Sequence, residues 1–244
     1  MDIHFKNVPA TFHHIPRSGG TSFTYWVKEN LTNFEIAPLK EPTQENIYKL
    51  PDYNWVKTIW PDLGVRFAFV RNPYSRLVSL YHYVGELVNH RITLYKDSLS
   101  NKTSLENFRT QPYQRETVVE SIIDDTKVIK LYDKGFNFWV KCMLENPQEF
   151  YSSTNIASHN LIHSFWGGET QVSWFCGNLP DIIVKIEELD KDFYKIQDLL
   201  GALGTLTHKN SSHHTYYRDY YSQETINLVK QKYKEDLETF EYEF

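Results

Sequence analysis

Apolar and polar positions along the chain follow two periods, short runs and helical stripes. Ala10 to Ile15 is a short, apolar-leaning run closed by Pro16 and a glycine pair, the pattern of a buried strand. From Phe23 onward, Trp26, Val27 and Leu31 fall at helical spacing. Val65 to Val70 is a second strand-like run. It ends at Arg71-Asn72-Pro73, where Asn72 can cap a helix and Pro73 fits its first position. Leu77, Leu80, Tyr81, Val84, Leu87 and Val88 then mark the buried face of that helix. Asp181 to Glu187, with its Ile-Ile-Val-Lys-Ile run, reads as a third strand. Leu189, Phe193, Ile196 and Leu200 follow at helical spacing, with Gly201 as a terminator. Ser222 can cap a last helix that carries Ile226, Val229, Tyr233, Leu237 and Phe240 on one face. Residues 91–150 are polar and aromatic and read as mostly helical. The alternation predicts an α/β fold of three layers, a central, mostly parallel sheet flanked by helices.

Composition narrows the classes. At 244 residues the chain is expected to form a single domain, 1–244, with a core of its own. The net charge of −5, from 26 Lys+Arg against 31 Asp+Glu, disfavours a general nucleic-acid binder. Cys142 and Cys176 are too few for a disulfide framework or a Cys-rich zinc module. No apolar run reaches the roughly 18 residues of a membrane span. Met1 to Lys6 lacks the apolar stretch of a signal peptide. The expectation is a soluble protein, cytoplasmic or otherwise intracellular.

Two stretches carry chemistry. Residues 12–23, Phe-His-His-Ile-Pro-Arg-Ser-Gly-Gly-Thr-Ser-Phe, read as strand, tight loop and helix start. Such a loop turns successive backbone N–H groups toward one point, where the helix N-terminus adds partial positive charge. Gly19 and Gly20 allow close approach of an anion, Thr21 and Ser22 can cap the helix and donate hydroxyls, and Arg17 adds a fixed charge. The result is P-loop-like. It is no Walker A loop, because no lysine precedes Thr21. That disfavours a nucleotide or nucleoside kinase. In the second stretch Arg71 ends a strand and Ser79 lies eight residues on. At about 100° per residue this brings Ser79 within roughly a quarter turn of Arg71. Arg71, Ser75, Arg76 and Ser79 are expected on the polar side of the helix, where a guanidinium and a hydroxyl suit a phosphate.

His14-Ile15-Pro16-Arg17-Ser18-Gly19-Gly20-Thr21-Ser22 resembles the 5′-phosphosulfate loop of sulfotransferases, and Phe69 to Tyr81 resembles their 3′-phosphate motif. Val184 to Leu189 with Asp192-Phe193, and Tyr217 to Tyr221 through Val229, Tyr233, Asp236 and Phe240, are similar to later parts of the same family. The likeness is nearest to the branch of heparan-sulfate 2-O- and chondroitin-type carbohydrate sulfotransferases and small microbial members. It implies a metal-independent enzyme that moves a sulfuryl group from 3′-phosphoadenosine 5′-phosphosulfate to an acceptor hydroxyl, on a carbohydrate by the branch. It implies that Arg17 stabilises the transferred group, that Ser18, Gly19, Gly20, Thr21 and Ser22 hold the 5′-phosphate, and that Arg71 and Ser79 hold the 3′-phosphate. Many members have lysine where Arg17 stands. Arginine cannot act as a general acid near neutral pH, so its implied role is electrostatic.

The acceptor needs a general base. No histidine lies between His14 and His82, so a carboxylate is expected. Glu41-Pro42-Thr43 resembles a His-x-Thr segment of small microbial members and puts Glu41 first, with Glu35 and Glu45 behind. Lys209 and Arg218 are candidates to touch the donor. His159 and His163, four apart, lack a third metal ligand. Two further functions stay open, a non-catalytic nucleotide- or glycan-binding module and a transferase acting on tyrosine or a small phenol.

Overall fold

The computed structural model describes residues 2–37, 52–83, 85–86, 133–145, 168–207 and 215–244. The expected helix residues Val84, Leu87 and Val88 and most of 91–150 lie outside them.

The sheet is built from β1 (Ile3–Phe5), β2 (Ala10–His13), β3 (Phe34–Ile36), β4 (Val65–Val70) and β5 (Ile182–Lys185), in the order β3-β1-β2-β4-β5. The expected parallel arrangement holds at its functional heart, where β2 pairs with β4 and β4 with β5, both parallel. β1 and β3 extend the β2 side as antiparallel strands. The β2–β4 register places His13 opposite Ala68. Residues just past His13 and just past Val70 therefore leave the sheet at the same carboxyl edge, where ligands gather in open α/β sheets.

Helices follow the strands where the apolar stripes predict them, and one more, over 53–59, is marked by no stripe. They are α1 (Gly20–Asn30), α2 (Tyr53–Ile59), α3 over residues 73–83, α4 (Phe136–Glu145), α5 (Leu189–Leu200), α6 (Gln223–Lys232) and α7 (Lys234–Thr239). α4 falls where helix was expected. β4 explains the three layers. Its alternate side chains Phe67 and Phe69 join Phe12, Phe23, Trp26, Phe193 and Ile196 on the face covered by α1 and α5. Ala68 and Val70 face the other way, onto Ile15, Val172, Trp174, Phe175 and Phe240. A strand buried on both sides needs the unbroken apolar run seen in the sequence. α3 packs through Tyr74, Leu77, Val78 and Leu80 on α4, Val229 and Tyr233.

Three expectations need correction. The third strand is shorter, because Ile186–Glu188 turns off as a 3-10 helix. The last helix is two: α6 opens with a capping box of Ser222 and Thr225, and the chain bends at buried Tyr233 before α7. Finally, α1 is not capped by Thr21 or Ser22. Its cap residue is Gly19, in the left-handed region at φ 82°, with no side-chain cap bond. Thr21 and Ser22 fall inside the first turn instead, Thr21 exposed and Ser22 buried.

Candidate active site

The loop between β2 and α1 is tightly specified. Arg17 has φ 66°, a left-handed conformation that costs a non-glycine residue on the order of 1–2 kcal/mol. Several bonds hold it there. The Ser18 N–H donates to the Ile15 carbonyl (3.3 Å), and the Arg76 Nε donates to the Pro16 carbonyl (3.0 Å). The next turn needs glycine for a different reason: a Cβ at Gly20 would stand 1.7 Å from Cδ2 of His14. The helix start is thus pressed against the strand end. The first N–H groups of α1 have no partner four residues back, which is the geometry of an anion site.

The second stretch closes over the first. Arg17 donates from both Nε (3.1 Å) and Nη2 (2.9 Å) to Ser79 Oγ on α3. Its guanidinium lies 4.3 Å from the centre of the Tyr83 ring, one turn further along the helix. Arg71 donates from Nε to Ser75 Oγ (2.9 Å) and from Nη1 to the Arg17 carbonyl (3.4 Å). The two arginines singled out in the sequence thus sit together, with Ser75 and Ser79 between them and the helix. The helix face that carries these groups is buried rather than solvated. Ser75, Arg76 and Ser79 are all nearly inaccessible, because this side of α3 lies on the loop. Arg76 is corrected in particular: it is 1% exposed and donates to the carbonyls of Pro16 and Glu169 (2.7 Å).

The electrostatics are lopsided. Among the described residues no carboxylate forms an ion pair with Arg17, Arg71 or Arg76. Burial, and then the adjacent Arg71 charge, push Arg17 down to about 10. It remains cationic at neutral pH. Burial likewise lowers Arg71, with Glu187 acting in the opposite direction. Two cations held side by side, with no carboxylate among the described residues bonded to either, are stabilised by an incoming anion. Arg17 and Arg71 bring guanidinium donors and Ser75 and Ser79 bring hydroxyls, the chemistry a phosphate or sulfate oxygen requires.

Sequence reasoning missed Gln171 and the role of Asp236. Gln171 precedes the 3-10 turn Val172–Phe175, is fully buried, and reaches both loops. Its Oε1 accepts from Ser18 Oγ (3.2 Å) and from the Arg71 N–H (2.9 Å), and its Nε2 donates to the Arg71 carbonyl (2.8 Å). Asp236 of α7 accepts the backbone N–H groups of Gln171 (2.8 Å) and Val172 (2.9 Å). A lone glutamine in a polar stretch gives no periodic or motif signal that could have found it. Glu187, part of the third matching stretch, accepts from the Asn72 N–H (2.8 Å) and from the Tyr242 hydroxyl (2.8 Å), fixing the turn after Arg71.

The remaining candidates separate. Glu41 and Glu45 lie outside the described residues, as do Lys209, His159 and His163. Glu35 stands on β3, in register with His4 and, through it, with Thr11, two strands away from β2. Its carboxylate is engaged by Lys6 (2.5 Å) and by the Trp60 indole (3.1 Å), which hold it below the usual carboxylate range. The structure does not bring it to the arginine pair. Arg218 is occupied at the surface, donating to the Tyr217 hydroxyl (3.2 Å) and lying over the rings of Tyr216, Tyr217 and Phe244. Among the described residues no His/Cys/Asp/Glu group of metal-binding size occurs, and no helix is long and apolar enough to cross a membrane.

A profile of the Sulfotransferase family matches residues 9–243, which includes both loops and the C-terminal helices that brace them. The chain belongs to the sulfotransferase family. Neither the curated proteins nor the solved structures contain a match to it. For this sulfotransferase, membership supports sulfuryl transfer as the general chemistry, and the family generally draws on 3′-phosphoadenosine 5′-phosphosulfate.

Proposed function

We propose that this sulfotransferase binds 3′-phosphoadenosine 5′-phosphosulfate across the β2–α1 and β4–α3 loops and transfers its sulfuryl group to a hydroxyl of a carbohydrate. The observation that carries this reading is the pairing of Arg17 with Ser79 and of Arg71 with the Arg17 carbonyl, which joins both motifs in one cationic site. When bound, the nucleotide supplies an activated sulfuryl group on a good leaving group. The chain's own residues supply position and charge. The backbone N–H groups of Gly19, Gly20, Thr21 and Ser22 receive the 5′-phosphate, while Ser18, whose own N–H closes the turn onto the Ile15 carbonyl, shapes the loop around it. Arg71 and Ser79 receive the 3′-phosphate, which separates this donor from plain adenosine nucleotides. Arg17 offers two N–H groups to charge that develops at the transferred group, a contribution of the oxyanion-hole kind. In a loose transfer, positioning and charge dominate, so no metal is required of the protein.

Glu41 is the proposed general base for the acceptor hydroxyl. The acidic chain as a whole favours a neutral or small acceptor over a long polyanion. A radiolabelled donor incubated with a panel of sugars, glycans, tyrosine peptides and phenols, in the presence of a chelator, tests the reading. Label on a sugar is expected. Label on phenols alone would replace the acceptor class, and no transfer to any acceptor would favour a binding module.

A further inference from the structure

Gln171 reaches the two nucleotide loops from outside both of them. Its side-chain oxygen accepts from Ser18 in the first loop and from the Arg71 N–H in the second (3.2 and 2.9 Å). Its amide nitrogen donates to the Arg71 carbonyl (2.8 Å) and lies 3.5 Å from Asp236 Oδ2. The amide's orientation is fixed by this set, because a backbone N–H must meet the oxygen and a backbone carbonyl the nitrogen. The residue itself is held from behind. Its N–H and that of Val172 are both bound by the fully buried Asp236 carboxylate. One planar amide, 0% exposed, thus spans the 5′ loop, the 3′ loop and α7.

The geometry points to Gln171 as a positioning residue that sets the spacing between the two phosphate sites, and so the preference for a nucleotide phosphorylated at both ends. This rests on the donor reading above. Neither phosphate site contains the Gln171 side chain. Removing its bridge leaves each loop with its own donors but loosens their spacing, which is then held on this side by the bonds of Arg17 to Ser79, Arg71 to the Arg17 carbonyl and Arg76 to the Pro16 carbonyl. A ligand that uses one site keeps its contacts. A ligand that uses both gains from the second site only when that site stands at the right distance, as in any two-point attachment.

The test is calorimetric titration of the full chain with adenosine 3′,5′-bisphosphate and with 5′-AMP. Gln171→Met removes every side-chain bond at near-constant volume. Gln171→Asn keeps a buried amide but is one methylene too short to span both loops, and it serves where the methionine variant does not fold. Either variant is expected to lose at least tenfold in bisphosphate affinity while 5′-AMP affinity stays within about threefold, so the ratio of the two collapses. If the folded variant melts earlier but keeps the wild-type ratio, Gln171 is only structural and the inference is overturned. If wild-type protein binds both nucleotides equally, the donor reading itself fails. The two failures are read from different proteins and cannot be confused.

Discussion

Replacing Asp236 with alanine is expected to cost about 2–6 kcal/mol, the cost of leaving two buried backbone donors without their acceptor. The figure follows from what the carboxylate holds. It is fully buried and accepts two backbone N–H groups, from Gln171 at 2.8 Å and Val172 at 2.9 Å. Alanine leaves both donors buried and unpaired, at about 1–3 kcal/mol each. It also removes negative charge near Arg76, a buried cation with no ion-pair partner among the described residues. Relief of the desolvation that raises the Asp236 pKa offsets part of this loss. Against a total stability of about 5–15 kcal/mol the change is large. Urea unfolding followed by far-ultraviolet circular dichroism measures it directly, provided the slope is unchanged. Asp236→Asn keeps one acceptor oxygen and should fall between wild type and alanine. A loss below about 1 kcal/mol for alanine would refute the claim that this carboxylate anchors the segment carrying Gln171.

Other consequences concern the arginine pair and the carboxylates. Arg17→Ala should lower the transfer rate by about 10²–10³ with little change in the far-ultraviolet spectrum, and a near-normal rate would contradict its electrostatic role. Because burial and Arg71 bring Arg17 down to about 10, bisphosphate affinity should be flat from pH 7 to 9 and fall as pH rises through about 10, where the arginine loses its proton. Titrations of wild type and Arg17→Ala compared over that range should show the step in wild type alone. Glu35→Gln should leave the transfer rate within twofold, since Lys6 and Trp60 occupy its carboxylate; a large loss would move the base to β3. Glu41→Gln should abolish most transfer, and an unchanged rate would remove it from the reaction.

Much of the architecture is legible in the chain because its central elements are long and strongly patterned. The Val65–Val70 run and the stripes after Phe23 and Leu189 are each satisfied by one burial solution. β1 and β3 are not legible, because three residues with a polar one among them carry no usable period. The break at Tyr233 is hidden because its ring continues the apolar stripe of the preceding turn. In the site, helical spacing put Ser75, Arg76 and Ser79, with Arg71 before them, on or near the polar side of the helix, but it said nothing of what covers that side, which is buried. Arg76 therefore reads as a solvated charge in the sequence and is a buried clamp on Pro16 in the fold. Gln171 is invisible for a related reason. Its function depends on partners at positions 18, 71 and 236, which only the tertiary fold brings together.

The most direct measurement of the central claim is the affinity of the wild-type protein for adenosine 3′,5′-bisphosphate and for 5′-AMP, by calorimetry without magnesium. Charge-assisted bonds from Arg71 and Ser79 to the extra phosphate, at about 1.5–3 kcal/mol each, predict a preference of roughly a hundredfold or more. Equal affinities would contradict the assignment of the Arg71–Ser79 site.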